Sequence, residues 1–222
     1  MKIVIQCAGR KKYDAGSMES LSGKPVMFVA RPDKAPPDGK HTYARPDDIS
    51  DDGKTWRERL LDYNKYNAKN NPYGILPAWQ LYTNPAYADL VLKFGLGKIF
   101  ILSAGWGLIP ANFLTAVYDI TFSGKSQPFN RRRRKDKYLD FCMLPDDGED
   151  VVFLGGKSYL PLFYKLTTRH KGRKSILYNS MYNPALPLGF ESILYKTSTR
   201  QNWHYECAKA LIDNEKLLGA VS

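Results

Sequence analysis

Residues 3–9 read IVIQCAG, an apolar run that breaks at once into small residues. The same design recurs as IFILSAGWG at 99–107 and as VVFLGGKSY at 151–159. Short aliphatic and aromatic runs bounded by glycine read as strands buried on both faces, and such strands belong to a parallel sheet. The carboxyl ends of parallel strands line one crevice, where ligands bind. The three segments are therefore expected to converge on one site in a single α/β domain, with a mostly parallel central sheet flanked by helices and its cleft at the strand C-termini.

Working outward, strands are expected at 2–6, 26–30, 98–102, 151–154 and 175–178, with 26–30 pairing beside the first. Residues 31–54 are rich in Pro, Asp and Gly and read as a flap-like surface insertion. A helix should start at Thr55, capped by Asp51 or Asp52. A proline-interrupted helical stretch over 76–94 places Trp79, Tyr82, Ala86, Leu90, Val91 and Phe94 toward the sheet, and Gly95 ends it. The segment WGLIPANFLTAVYDITF reads as an extended loop, 123–140 as a basic loop, 157–165 as a helix, and 202–218 as a final helix.

The chain of 222 residues carries 33 Lys and Arg against 22 Asp and Glu, a net charge of +11. An excess of this size points to a polyanion, nucleic acid first, over a merely soluble basic protein. No apolar stretch approaches the ~18 residues of a membrane span, and the N-terminus lacks a signal-peptide pattern. A cytoplasmic monomer with no membrane partner is expected. Cys7, Cys142 and Cys207 are far apart, and His41, His170 and His204 are scattered, so we expect no disulfide framework, metal or cofactor.

The chemistry-bearing residues fall in four stretches. In QCAGRKKYD, Gln6, Cys7, Gly9, Lys11 and Tyr13 follow the first strand, where they would hold a base or phosphate. Cys7 has no histidine near it in sequence, which favours an inert buried thiol over a nucleophile. In the second stretch Trp106 would stack on a base or plug the core, and both readings stand. Asp119, after Tyr118, is a lone carboxylate in an apolar segment and needs either a partner or a task. The third, Gly155 to Tyr159, places Lys157 and Tyr159 beside paired glycines like part of an anion-binding loop. It is not a Walker A motif, which sets an ATPase aside. The fourth is Phe129 and Asn130 followed by Arg131, Arg132, Arg133, Arg134, Lys135 and Lys137, a run suited to several phosphates unless it is only solvated charge. His170, Lys171, Arg173 and Lys174 form a second basic stretch.

Taken in order, Cys7, Lys11 and Tyr13, then residues 102–108 with Pro110 and Tyr118, then 151–159, resemble the YaaA-like superfamily, which includes the archaeosine synthase core domain. The resemblance covers the sheet, about two thirds of the chain. It implies DNA or RNA binding and, in some members, chemistry on a nucleobase; related folds include uracil-DNA glycosylase-like proteins. Gln6 stands where the synthase motif has Pro and Ala8 where it has Ser, which sets base-modifying transfer behind excision. The expectation is thus a DNA glycosylase acting on a modified base, in repair or anti-phage defence, with Asp119 and Lys11 catalytic. A tRNA- or DNA-modifying transferase and a non-catalytic DNA-binding stress protein are the alternatives. A nuclease would need a carboxylate cluster that is not evident.

Overall fold

Ile3, Val4 and Ile5 are wholly excluded from solvent, so the strand that carries them is covered on both faces and lies at the centre of the sheet. The structure, a computed structural model, describes residues 1–179, 184–199 and 202–213. In chain order its elements are β1 (Lys2–Gln6), β2 (Val26–Val29), β3 (Thr42–Ala44), α1 (Trp56–Asp62), α2 (Ala78–Leu81), α3 (Ala86–Phe94), β4 (Ile99–Ser103), β5 (Gly107–Pro110), β6 (Tyr118–Asp119), β7 (Phe141–Cys142), β8 (Val151–Leu154), α4 (Leu160–Thr167), β9 (Lys174–Tyr178), β10 (Phe190–Leu194) and α5 (Trp203–Asp213). Short 3-10 turns at Pro32–Lys34 and Leu96–Lys98 and a π-helical turn at Tyr63–Asn67 complete them. The expected continuation of the last helix to 218 lies outside the described residues.

Seven strands form the main sheet in the order β10-β9-β8-β1-β4-β5-β7. Every pairing in it is parallel except β4 with β5. Flanking helices close it: α3 and α5 pack on each other and reach β4 and β8, and Phe163 of α4 stacks on Phe153 of β8 at 4.4 Å. The expected α/β fold with a mostly parallel sheet is therefore present. After β1 the chain crosses to β4 on one side, and after β8 to β9 on the other. That divergence between β1 and β8 is a topological switch point, where open α/β sheets leave a crevice.

Several local expectations are corrected. The strand at 26–30 does not join β1. It is the middle of a separate parallel sheet, β3-β2-β6, so part of the 31–54 insertion is strand β3. Its Phe28 packs edge-on against Trp106 at 4.9 Å and Trp56 at 5.8 Å, fastening the small sheet to the core. Helix α1 is capped by Thr55, not by Asp51 or Asp52. Thr55 and Glu58 form a reciprocal capping box, the pattern that Thr-x-x-Glu encodes.

The segment after β4 begins as a hairpin into β5, while residues 111–117 remain outside regular elements, as the loop reading has them. Ser103 Oγ accepts from the amides of Gly105 and Trp106 at 3.2 and 3.0 Å, bending the chain back into β5. Gly107 sits at φ +98, and a Cβ there would come 2.4 Å from the Phe141 carbonyl oxygen. Only glycine permits both this backbone and so close an approach of β7.

Candidate active site and nucleic-acid interface

Where β1 and β8 part, a cleft of about 610 Å³ opens, walled by Gln6, Cys7, Gly9, Tyr159, His204 and Tyr205 among others. A hollow of about 380 Å³ shares Gly9 in its wall and is lined by Lys11, Tyr13, His41, Tyr118 and Asp119. In this depression the segment after β1 and the segment after β5 line both cavities, and the end of β8 lines the larger; the end of β4, expected to join them, lines neither.

Its floor is made of phenols. Cys7 is buried, with Sγ 3.1 Å from Tyr159 Oη, and it accepts from the Ala104 amide at 3.4 Å. Tyr82 Oη and Tyr118 Oη lie 2.9 Å apart. Tyr87 Oη donates to the Gln6 carbonyl at 2.8 Å and lies 3.3 Å from Tyr205 Oη. Burial raises Tyr82, Tyr118 and Tyr159 well above the usual tyrosine range, and the neighbouring Cys7 adds to each. These hydroxyls therefore stay neutral and act as hydrogen-bonding groups.

Lys11 rises from this floor. Its Nζ lies 4.1 Å above the Tyr118 ring and makes long contacts of 3.5 and 3.4 Å to the Ala8 and Gly9 carbonyls. Burial pulls the amine below the ordinary lysine range, while Cys7 and Asp119 draw it partly back. Asp119 is exposed at the rim and has a partner: Asn130 Nδ2 donates to its Oδ2 at 2.7 Å. Of the two alternatives open to this carboxylate, a partner is present; its surroundings are solvent, not the apolar setting expected, and it shares the hollow with Lys11.

Other expected ligands have structural employment. Trp106 is wholly buried and donates from Nε1 to the Ala116 carbonyl at 3.1 Å, so it plugs the core and has no open face for a base. Buried Arg57 clamps the turn that carries it, donating to the Trp106 and Gly105 carbonyls at 2.8 and 3.0 Å. Lys157 is exposed beside a separate cavity lined by Leu160, Tyr178 and Trp203, away from the main cleft. The Gly156 amide donates to Gln6 Oε1 at 2.7 Å, which removes it from service in an anion loop. Tyr13 is fully exposed on the outer wall of the smaller hollow.

The arginine run divides. Asn130 and Arg132 point inward and Arg131 and Arg133 outward, because the run is extended beside Thr121, with backbone bonds from Thr121 N to Asn130 O and from Arg132 N to Thr121 O, both 2.9 Å. Arg132 is buried in a bidentate pair with Asp140 at 2.7 Å per bond and also donates to the Ala104 carbonyl at 2.8 Å. It is therefore a strut, not a phosphate ligand. Arg131, Arg133, Arg134, Lys135 and Lys137 are exposed, and Phe129 is half-buried. Arg133 and Arg134 border a small groove with Phe122, Ser158 and Lys165, and Ser158 also walls the main cleft, so cationic surface runs into the depression. The second basic stretch is largely consumed. Arg173 pairs with Asp150, Lys174 donates to the His170 carbonyl, and His170 Nε2 bonds the Glu149 carbonyl.

Tyr82 is buried, as its sheet-facing position predicts. Sequence reasoning missed His204 and Tyr205, which line the cleft from the last helix, and Tyr87, which is buried behind it. It also missed Asp38 and His41, three residues apart in the insertion; that short spacing was the available signal. Among the described residues no group of three or more His, Cys, Asp or Glu is placed to hold a metal ion, and no helix is long and apolar enough to cross a membrane. No family model, curated protein or solved structure matches this chain.

Proposed function

We propose that this chain is a base-processing enzyme of DNA, a glycosylase that cleaves the N-glycosidic bond of a modified base. The observation that carries the reading is that Lys11 and Asp119 line one hollow, which shares Gly9 with the larger cleft at the switch point, and that this cleft shares Ser158 with a groove lined by exposed Arg133 and Arg134.

The chemistry follows from that placement. A base in duplex DNA must leave the stack to reach a buried reacting group, and a cleft of this volume suits a flipped nucleotide. The neutral hydroxyls of Tyr159 and Tyr205 offer hydrogen bonds to base edges without adding charge. Gln6 is held by the Gly156 amide, and its own amide nitrogen lies toward His204, so it shapes the wall rather than seeking a partner in the substrate. Breaking the glycosidic bond leaves positive charge on the sugar, which the Asp119 carboxylate at the rim is suited to stabilise. Arg131, Arg133 and Arg134 supply sequence-independent grip on the phosphates.

The test is direct. The protein is incubated with ordinary DNA and with heavily modified phage DNA, and free base and alkali-labile abasic sites are measured. Base release from modified DNA that is lost in Asp119→Asn supports the proposal. Tight binding with no release from any substrate leaves a DNA-binding protein without catalysis and overturns it.

A further inference from the structure

The insertion between β2 and α1 carries an acid–base pair to which excision alone gives no task. Asp38 Oδ1 accepts from the amides of Lys40 and His41, each at 2.9 Å. Its Oδ2 lies 2.6 Å from His41 Nδ1 and accepts from Tyr43 Oη at 3.1 Å. A carboxylate held by four donors is a fixed acceptor. The His41 bond above all, and the others with it, holds Asp38 far below the usual carboxylate range. Nδ1 of His41 therefore keeps its proton toward Asp38, which leaves Nε2 as the working nitrogen.

His41 lines the same 380 Å³ hollow as Lys11 and Asp119. The hollow thus gathers an amine, an oriented imidazole and a carboxylate. An amine in such surroundings is a nucleophile toward carbonyl carbon, and forming or resolving an imine requires a group that both gives and takes protons. Excision of a base yields the matching electrophile, because an abasic deoxyribose opens to an aldehyde at C1′.

We infer that this hollow is an amine-catalysis site in which Lys11 forms a Schiff base with C1′ of an abasic deoxyribose while His41 moves the protons. This rests on the glycosylase reading, since excision supplies the aldehyde. The Nζ lone pair adds to C1′, the aldehyde oxygen takes a proton by way of His41, and water leaves to give the iminium. His41 Nε2 then takes a proton from C2′, the C3′–O bond breaks, and the 3′ phosphate departs with those electrons. Water adds to the imine, releasing an unsaturated aldehyde and restoring the Lys11 amine. No oxidant or reductant is consumed. The enzyme would accordingly nick the strand that it clears.

The experiment uses an oligonucleotide with one preformed abasic site and sodium borohydride, which reduces an iminium to a stable protein–DNA adduct seen on a denaturing gel. Wild type should form the adduct. Lys11→Ala and the charge-keeping Lys11→Arg should fall to background, and His41→Gln should slow strand nicking by about 100-fold, the low end of general acid–base effects. Lys69→Ala, at an exposed lysine outside the hollow, should trap like wild type and so reports whether surface amines are enough. Trapping by folded Lys11→Arg at the wild-type level overturns the inference, as does a wild type that binds the abasic strand without an adduct. Base release without trapping sinks the amine site and spares the glycosylase. Trapping without base release does the reverse.

Discussion

The side-chain nitrogen of Gln6 lies 3.4 Å from His204 Nε2, tying the end of the central strand to the last helix. Because Gln6 Oε1 is occupied by the Gly156 amide, its nitrogen must donate toward His204, and the ring nitrogen must accept. His204 is therefore needed neutral, and burial lowers it to about 4. Protonation is suppressed in the folded state but free near pH 6.5 in the unfolded chain. This contribution is fully retained above pH 6.5 and lost as pH falls toward 4. We expect a loss of about 2 kcal/mol at pH 5 and about 3 kcal/mol at pH 4. Denaturant titrations from pH 7 to 4 on wild type and His204→Gln measure it, and parallel curves would rule this origin out.

Arg132→Ala should cost about 3 kcal/mol, because it removes the bidentate partner of the buried Asp140 carboxylate and leaves it the longer 3.3 Å contact of Lys165. A urea midpoint shift at unchanged m-value reads the cost. A shift below about 1 kcal/mol would mean that water reaches Asp140 and that the strut is dispensable.

Replacing Arg131, Arg133 and Arg134 together by Ala should leave stability within about 0.5 kcal/mol, since all three are exposed. The slope of log affinity against log salt for duplex DNA should flatten by about 0.9 for every phosphate that is no longer neutralised. An unchanged slope would place the nucleic-acid face elsewhere on the molecule.

Asp119→Asn should lower single-turnover base release by about 100-fold or more while DNA affinity holds within about twofold. The exposed rim position makes a folding defect an unsuitable explanation, and the Asn130 hydrogen bond survives through the side-chain oxygen. Equal loss of rate and affinity would make Asp119 a binding group instead of a stabiliser of sugar charge.

The strong strands were legible because their apolar runs are continuous and end in glycine or small residues. β1 and β8 match their expected bounds residue for residue, and β4 is displaced by one position. β3, β6 and β7 span two or three residues, too few for any period to register. β5 contains Pro110 at its end, which reads as loop until its pairing with Phe100 is seen. Tyr118 and Asp119 arrive on β6 of the second sheet, which no apolar run announces. The nearness of Cys7 and Tyr159, by contrast, followed from the strand-to-turn runs at 3–9 and 151–159. The sorting of the arginines did not, because a guanidinium salt-bridged to Asp140 and one facing water are the same letter. Trp106 illustrates the same limit: glycines on both sides suggest exposure, yet Phe28 from the second sheet covers the ring. His41 enters through Asp38, a loop interaction that no helical or strand period announces.

The position of β1 has a further consequence for how the molecule is made. It leaves the ribosome well ahead of both its neighbours, whose paired stretches begin at Ile99 and Val151. Residues Ile3, Val4 and Ile5 must wait, sticky and unpaired, until those later stretches have been synthesised. Such long-range pairing makes for slow acquisition of the native state and a window in which a chaperone, or another nascent chain, competes for that strand.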